Sequence, residues 1–215
     1  MKRSIVIVGG GFAGQQACNA LRRSGEQVLL IDPNPGPAML PALPDLAGGW
    51  VPERIVQRPF AELLPANVEH WQAAVSAIDL EAGTVQAGSQ SIAYEQLLIA
   101  PGSVPNFYDS PFPREKLHAL GSLDDARRIR REFEEYLHRA ATPHLLVAGT
   151  GYTGLELAMS LYFRAQAAGK RCGVAIVDPS PILLPSLPDK QRRYVLDFLV
   201  RSEEHTSELQ SPYVI

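Results

Sequence analysis

The apolar positions of the chain form two copies of one β-α-β pattern. In the first copy, a run at residues 4–8, apolar from Ile5 to Val8, precedes a glycine-rich loop and a segment with helical spacing, which Gly25 closes. A second apolar run at residues 28–31 ends at Asp32. Strands that are buried on both faces have continuous apolar runs, so this pattern predicts parallel strands joined by a helix.

The same pattern returns in the second half of the chain. An apolar run at residues 145–148 precedes a second glycine-rich loop and a predicted helix over residues 155–168. Another apolar run, at residues 174–177, ends at Asp178. The duplication predicts an α/β fold with two Rossmann-like three-layer domains. We expect one domain over residues 1–105, a linker and helix over 106–140, and the second domain over 141–200.

The region between the two copies combines an irregular stretch with strands. Residues 32–65 are rich in proline and glycine, which predicts a long loop with little regular structure, and such loops are usually functional. Turn signals divide residues 68–94 into predicted short antiparallel strands. Residues 96–100 predict a further buried strand, and an irregular linker over residues 103–121 follows it. Ser122 then begins a predicted helix with an acidic capping box.

Each glycine-rich loop has the G-x-G-x-x-G spacing, between a predicted strand and a predicted helix. The first glycine permits the tight turn, the second lets a pyrophosphate approach the backbone, and the third lets the helix pack against its strand. The free N–H groups at the start of the helix then face the phosphates. The glycines in these three roles are Gly9, Gly11 and Gly14 in the first loop and Gly149, Gly151 and Gly154 in the second.

An acidic residue ends the second strand of each copy. Asp32 and Asp178 stand where a carboxylate can accept hydrogen bonds from the hydroxyls of an adenosine ribose. A carboxylate at position 178 would repel a 2′-phosphate, and no basic residue occurs in the Pro179-Ser180-Pro181 segment that follows. The second loop is therefore predicted to favour NADH over NADPH.

Two such units in one chain resemble the FAD-dependent pyridine nucleotide oxidoreductases, the two-dinucleotide flavoprotein superfamily. In that family the first loop binds FAD, and a motif that usually ends in A-T-G marks the crossing to the NAD domain. Ala100, Pro101 and Gly102 occupy that place here, with proline instead of threonine. Proline suits a turn, but the contact of a threonine hydroxyl is lost.

Within the superfamily, the chain looks most like the type II NADH dehydrogenases, which reduce quinone. Residues 9–14 are typical of their FAD loop, residues 149–158 of their NAD loop, and residues 182–188 of a run after their second NAD strand. Pro41 falls where the family places a proline near the flavin. Glu156 is placed on the first turn of the helix, where it either reaches the nicotinamide or only benefits from the helix dipole.

The glycine loops, the terminal acids and the family resemblance predict one set of cofactor-binding residues, with no metal ligand and no catalytic acid or base named. The set comprises Gly9, Gly11, Phe12, Ala13, Gly14, Asp32, Pro33, Pro41, Val75, Ala100, Pro101, Gly102, Gly149, Gly151, Tyr152, Thr153, Gly154, Glu156 and Asp178.

The resemblance implies an enzyme that transfers hydride from NADH to FAD and then passes electrons to a quinone. One alternative is a soluble reductase of an iron–sulfur or rubredoxin-type carrier, and another is a dinucleotide-binding redox sensor without turnover. The family implies a cytoplasmic location, or a peripheral one on the inner face of the cell membrane through a C-terminal part, and allows a homodimer.

Composition and cysteine positions narrow these possibilities. The net charge of −3 gives no reason to expect a nucleic-acid partner. Disulfide reductases of the superfamily need two close cysteines beside the flavin, whereas Cys18 and Cys172 lie far apart in the sequence. Each cysteine is predicted to be an inert small residue.

The last fifteen residues, RSEEHTSELQSPYVI, depart from the pattern of the rest. Residues 201–211 resemble the translation of a common sequencing-library adapter, so we expect that residues 201–215 are not native and that the chain is truncated near residue 200. Such a chain would lack the remaining domain segments, and we expect it to be poorly stable and inactive. Genomic DNA downstream of codon 200 tests this interpretation.

Overall fold

The structure is a computed structural model that describes residues 2–107, 117–178, 182, 184 and 186–203. It divides into two compact units, one formed by Met1–Leu40 with Glu53–Pro111 and the other by Pro41–Pro52 with Phe112–Ile215. The expected adapter-derived tail lies outside the described residues from position 204 onward.

The first unit is built on one six-stranded sheet. Its strands are β1 (Lys2–Val8), β2 (Val28–Asp32), β3 (Val68–Gln72), β4 (Val75–Asp79), β5 (Thr84–Ala87) and β6 (Gln90–Ile99). They lie in the order β3-β2-β1-β6-β5-β4. The β1, β2, β3 and β6 strands pair in parallel, whereas β4 and β5 join antiparallel to β6. The expectation that all of residues 68–94 would be antiparallel is therefore wrong for β3, which extends the parallel part of the sheet beside β2.

The central strand β1 is buried on both faces, as its continuous apolar run predicts. Val6 and Val8 belong to an apolar cluster with side chains of β2, β5 and β6. Ile5 and Ile7 belong to a second cluster with Cys18 of α1 (Phe12–Ala20). Helix α1 continues as one 3-10 turn, and the chain reverses at Gly25, where φ is +80°. The first glycine loop begins directly at the carboxyl end of this buried strand.

The proline-rich stretch after β2 contains more regular structure than its composition predicts. Three short helices occur there: α2 (Leu43–Ala47), α3 (Glu53–Val56) and α4 (Phe60–Leu63). Helices this short do not form alone, so packing must hold them. Helix α2 packs against helices α5 and α6 of the second unit, to which residues Pro41–Pro52 belong.

The second unit contains the repeated β-α-β pattern. Its elements are α5 (Leu123–Arg139), β7 (His144–Ala148), α6 (Tyr152–Ala167), β8 (Gly173–Val177) and α7 (Asp189–Glu203). Strands β7 and β8 pair in parallel, with Leu145 opposite Val174 and Ala148 opposite Val177. Ser122 caps α5 by accepting a hydrogen bond from the Asp125 N–H at 3.1 Å. The α/β prediction is confirmed, and none of the helices that the structure describes is long and apolar enough to cross a membrane.

Candidate functional site

The first glycine loop turns sharply out of β1. Gly9 has φ of +96°, and its N–H donates to the Ile31 carbonyl at 2.9 Å. Gly11 is the N-cap of α1, with φ of −67° and no capping side chain. A Cβ on Gly14 would lie 1.9 Å from the Gly9 carbonyl oxygen. The third glycine therefore lets the helix approach the first glycine of its own loop, rather than chiefly the strand as the motif led us to expect.

The second loop repeats this geometry. Gly149 has φ of +114°, and its N–H donates to the Val177 carbonyl at 2.8 Å. Gly151 is the N-cap of α6, with φ of −73°. A Cβ on Gly154 would lie 2.2 Å from the Gly149 carbonyl oxygen. Because the same bonds recur at equivalent positions, the duplication holds at the level of single contacts.

The two acids brace the loops that precede them. Asp32 Oδ2 accepts from the Gly10 N–H at 2.7 Å, and Asp178 Oδ2 accepts from the Thr150 N–H at 2.8 Å. Asp32 Oδ1 also accepts from the backbone and side-chain N–H groups of Asn34, at 2.8 and 3.0 Å. A carboxylate has about four acceptor positions. The predicted role of these acids toward a ribose therefore remains compatible with their bonds to the protein.

The predicted crossing motif lies directly beside the first loop. The Ala100 N–H donates to the Val8 carbonyl at 2.8 Å, and a Cβ on Gly9 would lie 2.1 Å from the Ala100 carbonyl oxygen. Pro101 is exposed, and Gly102 follows with φ of +78°. The structure thus brings Ala100 to the start of the glycine loop, although 91 positions separate Ala100 from Gly9 in the sequence.

Pro33 and Val75 connect to Asp32 through the ends of β3 and β4. The Pro33 carbonyl accepts from Gln72 Nε2 at 3.2 Å, and the Ala73 N–H donates to the Asp32 carbonyl at 3.2 Å. Val75 begins β4 two residues later and packs against the apolar cluster of β1. No contact in the structure distinguishes Val75 as a ligand-facing residue.

At two positions in the loops, neither the backbone conformation nor a neighbouring atom of the described residues accounts for the presence of a glycine. Among the glycines whose surroundings the structure describes, only Gly11 and Gly151 combine an ordinary φ with open space around the position of a Cβ. The next residues, Phe12 with Ala13 and Tyr152 with Thr153, form exposed first turns of α1 and α6. Neither first turn contains an acid or a capping side chain. The positive end of each helix dipole is therefore left uncompensated by its own first turn.

Glu156 lies in the second turn of α6, not in the first as expected, because the helix begins at Tyr152. Its place is on a pocket of about 830 Å³ within the second unit, which Pro41 also lines. The pocket wall further includes Asp45, Trp50 and the α6 residues Met159, Ser160 and Phe163. Two residues predicted separately as cofactor contacts, Pro41 and Glu156, thus share one pocket.

Neither Ser160 nor the helix α2 was predicted from the sequence. Ser160 is 6% exposed, and its hydroxyl donates to the Pro44 carbonyl at 2.8 Å. A signal for α2 was present, because Leu43, Leu46 and Ala47 have helical i, i+3, i+4 spacing, and all three are buried. The prolines around this short run concealed it.

Both cysteines are free thiols and buried, and each belongs to a different unit. Desolvation by burial raises the pKa of Cys18 to about 11, and the same cause raises the pKa of Cys172 to about 11. A thiol must ionise to act as a nucleophile, so both cysteines are poorly reactive near neutral pH.

Comparison with known sequences extends over nearly the whole described chain. A family model for the pyridine nucleotide-disulphide oxidoreductases matches residues 3–203. The external alternative NAD(P)H-ubiquinone oxidoreductase B2 of Arabidopsis thaliana is 29% identical over 75% of this chain and 32% of its own length. The type II NADH:quinone oxidoreductase NdhA of Mycobacterium tuberculosis is 27% identical over 88% of this chain and 46% of its own.

Solved structures give the same picture of the fold. The sulfide:quinone oxidoreductase of Aquifex aeolicus superposes with a TM-score of 0.80 and 25% identity, over 93% of this chain and 49% of that one. Putidaredoxin reductase, in its covalent complex with putidaredoxin, superposes with a TM-score of 0.72 and 25% identity, over 93% and 48%. The chain spans about a third to a half of the length of the curated relatives it matches.

Proposed function

Because the chain belongs to the pyridine nucleotide-disulphide oxidoreductase family, we propose that its two glycine loops hold two different dinucleotides. Gly9–Gly14 would hold the pyrophosphate of FAD, and Gly149–Gly154 that of NADH. Asp32 and Asp178 would accept hydrogen bonds from the two adenosine riboses. Pro33, Val75 and Ala100–Gly102 would complete the contacts to FAD.

The observation that carries this proposal is the open space at Gly11 and Gly151. Every other glycine with described surroundings has either a positive φ or a neighbour that a Cβ would meet. Gly11 and Gly151 have neither constraint, and they hold the same position in both loops. A close-lying pyrophosphate explains a glycine at both places, because any side chain would occupy the space of the phosphates.

The residues around both loops fit such a ligand. The uncapped helix N-termini present N–H groups and a partial positive charge to an anion. Bound FAD would supply the hydride acceptor, and bound NADH the hydride. The protein contributes orientation, because the acids tie each loop to its β-α-β unit.

For the final electron acceptor we propose a quinone. The relatives from Arabidopsis thaliana and Mycobacterium tuberculosis are named as quinone reductases, and they match the chain over three quarters or more of its length. A protein carrier is the second candidate, because the chain also superposes on putidaredoxin reductase. A peripheral position at a membrane belongs to the first candidate only.

The binding proposal is tested with Gly11→Ala and Gly151→Ala. Neither Cβ would meet an atom of the residues that the structure describes, and neither φ is strained, so both variants should fold with unchanged thermal midpoints. FAD affinity, measured by quenching of flavin fluorescence, should fall at least about tenfold in Gly11→Ala, since a displaced charge-assisted contact is worth about 1.5–3 kcal/mol. NADH affinity should fall similarly in Gly151→Ala.

Each variant serves as the control for the other. Gly11→Ala should leave NADH binding unchanged, and Gly151→Ala should leave FAD binding unchanged. Equal affinities for wild type and variant, in protein that binds the ligand, would contradict the assignment of that loop. Exchanging NADPH for NADH tests Asp178: tighter binding of NADPH would contradict the predicted preference.

The acceptor is tested by anaerobic stopped-flow absorbance on the protein reconstituted with FAD. NADH should bleach the flavin, and a short-chain ubiquinone should restore its absorbance faster than an oxidised carrier protein of the rubredoxin type. Faster reoxidation by the carrier would favour the second candidate. FAD binding without any bleaching by NADH would instead favour a sensor without turnover.

A further inference from the structure

The one buried polar side chain identified in the described part of the chain, that of Ser160, lies between α6 and the segment Pro41–Pro52. Ser160 uses both of its oxygens there. Its hydroxyl donates to the Pro44 carbonyl at 2.8 Å, and its backbone carbonyl accepts from Trp50 Nε1 at 3.0 Å. Pro44, near the start of the short helix α2, and Trp50, three residues beyond its last residue, are thus both bonded to one residue of α6. We propose that Ser160 is a positioning residue that holds this segment against α6.

The close approach at Ser160 depends on a glycine in the facing segment. A Cβ on Gly48 would lie 2.1 Å from Ser160 Oγ and 2.7 Å from Trp50 Nε1. Gly48 has an αR conformation with φ of −78°, so its backbone does not require glycine. The requirement comes from the hydroxyl and the indole that lie against it. The close contact therefore depends both on Ser160 of α6 and on Gly48 of the facing segment.

Helix α2 needs this attachment because it cannot keep its shape alone. It has five residues, and an isolated helix of this length is far below the length that is stable in water. The Pro44 carbonyl accepts from the Gly48 N–H at 3.0 Å as well as from Ser160. Loss of the Ser160 hydroxyl would therefore remove one of the two hydrogen bonds to the carbonyl that closes the helical turn.

The position of Ser160 relates this attachment to the pocket. Ser160 follows Glu156 by four residues, so both lie on the same face of α6. Both line the pocket, opposite Pro41 and Pro44 from the attached segment. Ser160 thus sets how far Pro41 lies from Glu156. This consequence rests on the proposed function and on the predicted role of those two residues as cofactor contacts.

The attachment itself is tested without any cofactor. Ser160→Ala should raise the hydrogen-exchange rate of the Gly48, Gly49 and Trp50 amides roughly five- to tenfold, the factor expected from loss of one hydrogen bond to a buried group. In a Trp71→Phe background, the fluorescence of Trp50 should shift to longer wavelength. Ser160→Thr, which keeps a hydroxyl, should restore slow exchange.

A matched control removes a similar bond elsewhere. The Ser24 hydroxyl donates to the Leu21 carbonyl at 2.9 Å on the surface of the first unit. Ser24→Ala should therefore leave exchange at Gly48–Trp50 unchanged. If Ser160→Ala has wild-type exchange rates, the proposal is wrong. If Ser160→Ala does not fold, Trp50→Phe removes the second bond, and unchanged exchange in that variant overturns the proposal equally.

The functional consequence is tested separately, in protein reconstituted with FAD. NADH should bleach the flavin more slowly in Ser160→Ala than in wild type, with NADH affinity unchanged and with partial rescue in Ser160→Thr. If wild type is not bleached, the proposed function fails while the attachment stands on its exchange data. If wild type and Ser160→Ala are bleached at the same rate, the positioning role is overturned while the proposed function survives.

Discussion

The two glycine loops have the same internal bonds but different surroundings. In the first loop, a Cβ on Gly9 would meet the Ala100 carbonyl oxygen at 2.1 Å, and a Cβ on Gly10 would meet the Phe60 ring at 2.2 Å. In the second loop, a Cβ on Gly149 would meet no atom of the described residues within 4 Å. The position of Gly10 is taken there by Thr150, which already has a side chain.

The difference at Gly9 follows from the number of neighbouring strands, and the difference at Gly10 follows from Phe60 of α4. β1 pairs with β2 on one side and with β6 on the other, so the chain leaving β6 encloses the first loop. Among the strands that the structure describes, β7 pairs only with β8. Positive φ at the first glycine and contact at the third are therefore properties of the motif. Crowding at Gly9 and Gly10 is a property of the unit around it.

The largest expected effect comes from substituting the first glycine of each loop. Both Gly9→Ala and Gly149→Ala force a positive φ on alanine, at about 1–3 kcal/mol. Gly9→Ala must also displace the Ala100 backbone, which adds about 1–3 kcal/mol of overpacking. We therefore expect Gly9→Ala to destabilise its unit clearly more than Gly149→Ala does.

Urea unfolding of single-tryptophan proteins measures this difference. Trp71 lies in the first unit and Trp50 in the second, so Trp50→Phe and Trp71→Phe backgrounds report on one unit each. Equal losses of stability in Gly9→Ala and Gly149→Ala would contradict the conclusion that the first loop is enclosed and the second is open. Gly25→Ala is a useful reference, because it has φ of +80° and no atom near its Cβ position.

The features that the two loops share could be predicted from the sequence, whereas the crowding at Gly9 and Gly10 could not. Glycine spacing, apolar runs and terminal acids sufficed for both β-α-β units, because those features are local to the pattern. The bonds from Asp32 and Asp178 to the loop N–H groups were not predicted, since the pattern indicated only a role toward a ribose. The contact between Gly9 and Ala100 joins positions far apart in the sequence, and no local pattern encodes it. The helical turn that contains Glu156 was also predicted wrongly, because it depends on the residue at which α6 begins.

The second expected effect concerns the middle position of each loop. A Cβ on Gly10 overlaps the tip of Phe60, which is 1% exposed and has little room to move. Gly10→Ala should cost about 1–3 kcal/mol as an overpacked core does. Thr150→Ala should cost less than about 0.5 kcal/mol, as for a surface substitution. Both values come from the same urea experiment.

The cause of the Gly10 effect can be isolated with a second change. Phe60→Leu shortens the side chain that the new methyl group would meet. In the Phe60→Leu background, Gly10→Ala should therefore be clearly less destabilising than in the wild-type background. A double-mutant cycle with additive effects would show that the ring is not the obstacle.

The proline-rich region shows a different reason why sequence reasoning fell short. Residues 32–65 have the composition of a loop, yet α2, α3 and α4 lie there. Their formation depends on tertiary packing, which composition does not reveal. The assignment of Pro41–Pro52 to the second unit depends likewise on Ser160 and Trp50, whose chemistry gave no signal in the sequence.

The third effect compares the two bracing acids. Asp32→Asn places an amide group where two oxygens now accept N–H groups, so at least one donor must lose its partner. We expect a loss of about 1–2 kcal/mol, since Asp32 is half-buried. Asp178 is exposed, and water can replace a weakened bond, so Asp178→Asn should cost about 0.5–1 kcal/mol. A larger loss at Asp178 would contradict this order.

The smallest effect is one in which the two units should behave alike, because each contains one buried thiol. Burial raises the pKa of Cys18 and of Cys172 from 9.0 to about 11, so the folded protein keeps protons that the unfolded chain releases. The stability that this provides is fully present below pH 9 and is lost as the pH rises from about 9 to about 11. Urea midpoints between pH 8 and 10.5 should therefore fall in both single-tryptophan backgrounds.

Cys18→Ala should flatten the fall only in the first unit, and Cys172→Ala only in the second. The difference between wild type and variant removes the contribution of tyrosines and lysines that titrate in the same range. Parallel curves for wild type and variant would show that the thiols are not the groups responsible.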